Sequence, residues 1–220
     1  MSADVPRSND AEAKAGRRQM VLESVALVLL SLATVGTAWC SFQAAAWGGM
    51  SQRMTNLSMV AGRRATASQL QASQMALLDV ALFAQYVNHR ANSNETLARF
   101  YSDRFRDEAK TAFDAWIAAR PFENTNAPPH PFVTNLYQPK LLEESHQAEA
   151  ESGRLWQQAG DAGRTSRSYV LITVLLASAL FCGGTASKFD VLLVRRGVLL
   201  MGLAAFFFAI ARLVSLPIQL

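Results

Sequence analysis

The chain has 220 residues, of which 50% are hydrophobic and 17% charged, and its formal net charge is +4. This composition is too apolar for a disordered protein. The two cysteines cannot form a disulfide scaffold, and no CxxC motif or Cys/His cluster offers a zinc site. The apolar residues are concentrated in three blocks near the ends of the chain, separated by a long polar region, which is the pattern of an integral membrane protein.

The three apolar blocks are each long enough to form a transmembrane helix. They cover residues 21–46, 169–187 and 197–216, and their few charged residues lie near the block ends. A helix that rises ~1.5 Å per residue needs roughly 20 residues to cross the hydrocarbon layer. We therefore predict an all-α integral membrane protein with three transmembrane helices and an extramembrane helical stalk or three-helix bundle.

The first block also has features of a secretory signal peptide. Arg17 and Arg18 precede an apolar run that ends near small residues at positions 36–38, which resemble a cleavage site. A lipoprotein signal would use Cys40, but the bulky Trp39 stands where a small residue is usual. We expect the segment to be retained as a membrane span.

The distribution of Arg and Lys near the spans predicts the orientation of the chain. The N-terminal tail, residues 1–20, and the loop at 188–196 both carry basic residues, so both are expected in the cytoplasm. Residues 47–168 are then exported to the periplasm or the cell exterior. Arginine far outnumbers lysine, which is typical of a high-GC bacterium, and we expect the inner membrane as the location.

Four aromatic residues lie near the predicted outer ends of the first two spans. They are Trp39, Phe42, Trp47 and Tyr169. Aromatic rings of this kind concentrate at membrane–water interfaces, so an outer aromatic belt is one interpretation. Packing of the same rings between helices is the alternative.

The middle region has helical periodicity and a balanced charge. Apolar residues recur at spacings of three and four over about 50–88, 94–119 and 139–168, which predicts three helices. Four prolines within 120–138 predict an extended connection. Residues 47–168 contain 13 basic and 12 acidic side chains, whereas a nucleic-acid surface would need clustered positive charge.

The polar residues offer no recognisable catalytic or metal-binding pattern. The three histidines stand apart, and the sequence contains no GxSxG, HExxH or phosphate-binding glycine motif. Acidic and basic residues between 103 and 110 alternate at spacings that predict ordinary helix-surface pairs, Asp103 with Arg106 and Asp107 with Lys110. We expect no enzyme activity, no catalytic residues, no metal and no cofactor.

Small residues spaced four apart occur in the first two spans. These candidates for close helix packing are Gly36, Cys40, Ala44, Ala179, Gly183 and Ser187. Such ladders allow helix backbones to approach closely in lipid. Hydroxyl residues in the same spans, such as Thr34 and Thr173, could alternatively line a pore.

The two cysteines are expected to be free and buried. The predicted topology places Cys40 near the outer surface and Cys182 toward the cytoplasmic side, about 17 Å apart in depth. A disulfide requires Cα atoms within ~7 Å, so the sequence predicts no intramolecular bond.

The segment WCSFQAAAWGG at residues 39–49, followed by a helix rich in Gln, Arg and Ala and by two closing spans, carries a resemblance. It resembles uncharacterised bacterial membrane families with one N-terminal span, an extramembrane helical region and two C-terminal spans. The resemblance implies a layout and no activity.

These features favour a non-enzymatic inner-membrane scaffold or accessory subunit. Its expected partners are the lipid bilayer and either further copies of itself, through coiled-coil-type helix contacts, or another envelope protein. An oligomeric ion channel is the alternative, and an envelope sensor is a third interpretation.

Overall fold

The computed structural model describes residues 6–133, 135–186, 188–189 and 191–219, without the side chains of residues 6–16, 18, 19 and 22. Five α-helices account for most of these residues, which include no β-strand. The helices are α1 (Pro6–Ala91), α2 (Glu95–Ser102), α3 (Asp107–Ala118), α4 (Lys140–Ala186) and α5 (Leu192–Val214). The prediction of an all-α fold is confirmed for this part of the chain.

Helices α1 and α4 continue without a break through glycines in their interiors. Residues 48–49 lie inside α1, and residues 160 and 163 lie inside α4. Glycine in a helix interior costs roughly 1 kcal/mol relative to alanine, which packing along a long helix can offset.

The helix predicted over 94–119 is divided into two. Helix α2 begins after Asn94, whose side chain accepts a hydrogen bond from the Leu97 amide, and it ends at Ser102. Arg106 then has extended backbone angles, φ −64° and ψ 155°, before α3 begins. At this break the Arg106 side chain reaches Asp79 on α1.

The chain forms two compact units, Met1–Met54 with Gln157–Leu220 (unit 1) and Thr55–Trp156 (unit 2). The main core of unit 1 joins α1, α4 and α5 through mostly small or aliphatic side chains. Its buried members are Ala33, Cys40, Tyr169, Ile172, Leu176 and Ala209. A second cluster lies at Ala26, Leu29, Ala186 and Leu199.

Two glycines permit close helix approach in unit 1. A Cβ atom added to Gly202 on α5 would lie 2.9 Å from the Cβ atom of Cys182 on α4. A Cβ atom added to Gly36 would lie 3.1 Å from Cδ1 of Leu176. The packing of α4 against α5 and of α1 against α4 therefore depends on glycine at positions 202 and 36, respectively.

Helices α1, α4 and α5 each contain an apolar window long enough to cross a membrane, by length and composition. Most residues of these windows are not buried inside the protein, with buried shares of 22%, 39% and 17%. The outward-facing residues include Leu27, Val35, Leu193 and Phe207, each more than half exposed.

In unit 2, α1 packs against α4 through small residues. The hydroxyl of Ser58 donates to the Ser152 carbonyl, and the hydroxyl of Ser152 donates to the Ser58 carbonyl, each at 2.9 Å. Buried residues follow the α1 side of this contact at spacings of three and four: Ser58, Ala61, Ala65, Ser68 and Ala72. The helices approach closely because these side chains are small.

Candidate functional site

An aspartate occupies the buried face of α1 in unit 2. Asp79 has no exposed surface, because its spacing from Met75 and Leu82 places it on the helix face that packs against the rest of the unit. A buried carboxylate is costly unless it is paired and hydrogen-bonded. Its partners therefore determine what this position does.

The Asp79 carboxylate accepts three hydrogen bonds from two distant residues. Arg106 donates from Nε to Oδ1 at 3.2 Å and from Nη2 to Oδ2 at 2.5 Å. The Tyr137 hydroxyl donates to Oδ2 at 2.7 Å. The bidentate contact with Arg106 fixes the orientation of the two side chains and pairs their charges. The Asp79 carboxylate therefore holds α1, the start of α3 and the segment before α4 together.

A second carboxylate extends this network to the beginning of α4. Arg106 Nη1 lies 3.5 Å from Oε2 of Glu108, and the backbone amide of Lys140 donates to Glu108 Oε1 at 3.2 Å. Lys140 is the first residue of α4, where the amide groups lack helical acceptors and negative charge is favourable. Glu108 therefore caps α4 from α3.

Electrostatics keeps both donors of the network protonated. The hydrogen bond to Asp79 raises the pKa of Arg106. Burial raises the pKa of the Tyr137 hydroxyl well above its usual range, and its hydrogen bond to Asp79 acts in the same direction. Tyr137 is thus a neutral donor and Arg106 a permanent cation at physiological pH, which favours a structural tie over proton transfer.

Aromatic rings surround the network and hold the proline-rich connection. Phe83 on α1 meets the rings of Trp116 at 5.1 Å and Phe132 at 5.6 Å, both edge to face. The indole Nε1 of Trp116 donates to the Pro128 carbonyl at 2.7 Å. Pro128 and Phe132 therefore attach the connection to α3 and α1 by a polar and an apolar contact, respectively.

A separate polar contact in unit 1 holds the C-terminal segment. Gln43 is fully buried; its Nε2 donates to the Gln219 carbonyl at 2.8 Å, and its Oε1 accepts from the Gln219 amide at 2.9 Å. Trp47 Nε1 and the Tyr169 hydroxyl both donate to the Pro217 carbonyl, at 3.1 and 3.0 Å. The residues after α5 are thereby tied to α1 and α4.

The predicted packing ladders lie inside unit 1. Cys40 and Ala179 have no exposed surface, Gly183 is buried beside Leu29 and Leu30, and the Ala44 carbonyl accepts from the Ser166 hydroxyl at 2.8 Å. Gly36 meets Leu176, as described above. Ser187 lies outside the described residues. Both cysteines are free and buried, with Cys40 in the main core.

The four predicted interface aromatics divide into two pairs. Trp39 and Phe42 are exposed, with ring centroids 6.0 Å apart. Tyr169 is fully buried and Trp47 is partly buried, and both bind the Pro217 carbonyl. Tyr169 and Trp47 therefore pack between helices, which was the alternative interpretation of these residues.

The hydroxyl groups considered as pore-lining candidates bond within their own helices. Thr34 donates to the carbonyl of Leu30 and Thr173 to that of Tyr169, four residues earlier in each case. This is the usual arrangement for such residues in long helices.

Sequence reasoning missed the residues that make these contacts. It paired Arg106 with Asp103 by spacing, whereas Arg106 binds Asp79 and Glu108. It paired Lys110 with Asp107, whereas Lys110 forms an ion pair with Asp114. The available signal was Asp79 itself, because it is the only charge among residues 65–88.

Within the described part of the chain, no three His, Cys, Asp or Glu residues form a group that could hold a metal ion. Comparison of the whole chain with protein-family models, curated proteins and solved structures finds no match. The resemblance to bacterial membrane families therefore stays a prediction.

Proposed function

We propose that the chain is a multi-pass membrane protein that serves as a non-enzymatic scaffold or accessory subunit. The observation that carries the proposal is the outward apolar surface of unit 1, whose three windows leave most of their residues unburied. Such a surface is favourable in lipid and unfavourable in water. The charge distribution favours an N-terminus in the cytoplasm of a bacterial inner membrane and an exported region at 47–168.

The scaffold role is supported by how unit 2 uses its polar residues. Its buried carboxylate is occupied by Arg106 and Tyr137, and Glu108 caps a helix. These groups fix the positions of helices and of the proline-rich connection. Polar groups engaged in internal contacts of this kind support a structural role for the unit.

Fractionation tests the membrane assignment. We expect the chain in the membrane pellet after alkaline carbonate extraction, and recovery in the soluble fraction would refute the anchor. Single cysteines report orientation in a chain whose native thiols are buried. An impermeant maleimide should label Asn126→Cys in cells with a permeable outer layer, and Lys188→Cys only after the inner membrane is opened.

Purification from the native host in mild detergent tests the scaffold role. We expect the chain to sediment as an oligomer or to retain another envelope protein, identified by mass spectrometry. A monomer at all usable concentrations, without a retained protein, would contradict the proposal.

A further inference from the structure

Helix α1 of unit 2 has a second apolar stripe, opposite the one that packs inside the chain. Its positions follow spacings of three and four, the heptad pattern of a coiled-coil contact. We call them the outer α1 stripe: Ala67, Leu70, Gln74, Leu77, Ala81 and Ala84. All six residues are exposed, Leu70 by 60% and Leu77 by 70%.

The face that carries this stripe has no charge. Residues 65–88 include a single charged side chain, Asp79, which is buried and bound to Arg106. A helix face that contacts water normally carries charged residues. An uncharged face about 36 Å long is instead suited to contact with another helix.

We propose that the outer α1 stripe binds the same stripe of a second copy of this chain, with the two α1 helices parallel. This inference rests on the proposed membrane anchor, because two copies inserted in one bilayer with the same topology must run in the same direction. Equal positions then meet across the pair.

The residues of the stripe are compatible with this self-pairing. An uncharged face can meet its own copy without like-charge repulsion, whereas it offers no charge to select an oppositely charged partner. Gln74 meets Gln74 near the centre, and an amide carries both donors and an acceptor, so two copies can bond to each other. A polar residue at one central coiled-coil position sets register and the number of helices.

The size of the stripe indicates that the anchor contributes to the pairing. The stripe runs over the 18 residues from Ala67 to Ala84. A contact about 27 Å long and one helix diameter, about 10 Å, wide covers roughly 270 Å² per copy. A stable interface between free proteins buries about 800 Å² per partner. Confinement of both copies to one membrane raises their effective concentration, which lets a smaller contact form.

Disulfide trapping in native membranes tests the inference. We expect Ala67→Cys, Gln74→Cys and Ala81→Cys each to form same-position dimers on mild oxidation, several-fold more than the control Gln69→Cys. Gln69 is exposed on the same helix but lies off the stripe. Leu77→Glu should reduce trapping at position 74 several-fold, because two carboxylates would meet, whereas Gln69→Glu should not.

The failure of this inference is distinguishable from that of the anchor. A chain that stays in the membrane pellet but traps equally at 69 and 74, or not at all, overturns the self-pairing alone. Dimers between co-expressed Ala67→Cys and Ala81→Cys copies, without same-position dimers, would show antiparallel pairing and overturn the parallel arrangement. A disulfide to a different protein would assign the stripe to that partner, and a chain absent from the pellet refutes the anchor.

Discussion

Replacement of Asp79 by asparagine isolates the charge of the buried network. The substitution keeps the side-chain volume and an acceptor for Tyr137, but it turns an amide N–H toward the Arg106 guanidinium. Removing one partner of a buried ion pair costs about 3–5 kcal/mol, because the remaining charge is left uncompensated. The Arg106 side chain is 35% exposed and can be partly hydrated, so we expect a smaller loss of about 2–4 kcal/mol.

The assay is thermal unfolding of the full-length protein in mild detergent, followed by proteolysis with cleavage sites mapped within unit 2. For a unit of about 100 residues, the expected loss lowers the midpoint by roughly 10–30 °C. The matched control is Asp114→Asn on α3, because Asp114 pairs with Lys110 while its side chain is 57% exposed. That exposed pair should contribute less than about 1 kcal/mol. Equal midpoints for the two variants would refute the assigned role of Asp79.

Three further predictions concern pH, the C-terminal segment and helix packing. The pKa of Tyr137 is raised in the folded state, so its contribution to the free energy of unfolding is complete below the ordinary tyrosine pKa of about 10. This contribution is lost as the pH rises through the pKa of the folded state. Tyr137→Phe should therefore reduce the loss of stability at alkaline pH, measured by unfolding at a series of pH values. Gln43→Leu leaves the half-buried amide and carbonyl of Gln219 without their side-chain partner, so carboxypeptidase should release the C-terminal residues faster, at a stability cost of about 1–2 kcal/mol. Gly202→Ala should cost about 1–3 kcal/mol in detergent unfolding, whereas Gly197→Ala on the same helix, with nothing within 4 Å of the added Cβ atom, should be neutral or stabilising; similar effects for both would contradict the packing argument.

The sequence was sufficient for features that depend on local composition. The apolar windows in α1, α4 and α5 follow from runs of uncharged residues, and the helical spacing of the middle region reflects which faces are buried. The spacing of apolar residues and the local hydropathy are properties of residues that are close in the sequence. They therefore predict helices without any knowledge of tertiary contacts.

Residue pairs far apart in the chain were beyond such reasoning. Asp79 lies 27 positions before Arg106 and 58 before Tyr137, and Gln43 lies 176 positions before Gln219. Spacing rules compare only residues three or four apart, which is why they assigned Arg106 to Asp103. The division between α2 and α3 was also missed, because the apolar spacing of residues 94–119 continues across it.

Two of the buried polar residues of α1 have a common physical role. Asp79 in unit 2 and Gln43 in unit 1 each hold a non-helical segment through paired hydrogen bonds. A packing surface of alanine and serine is nearly the same after a shift of seven residues, so small side chains alone specify the register of two helices weakly. A shift of α1 against the start of α3 would separate Asp79 from Arg106 and leave a charge buried without a partner, which costs about 3–5 kcal/mol. We therefore expect the buried ion pair to specify the position of α1 against the start of α3 more strongly than the small-residue contacts alone could.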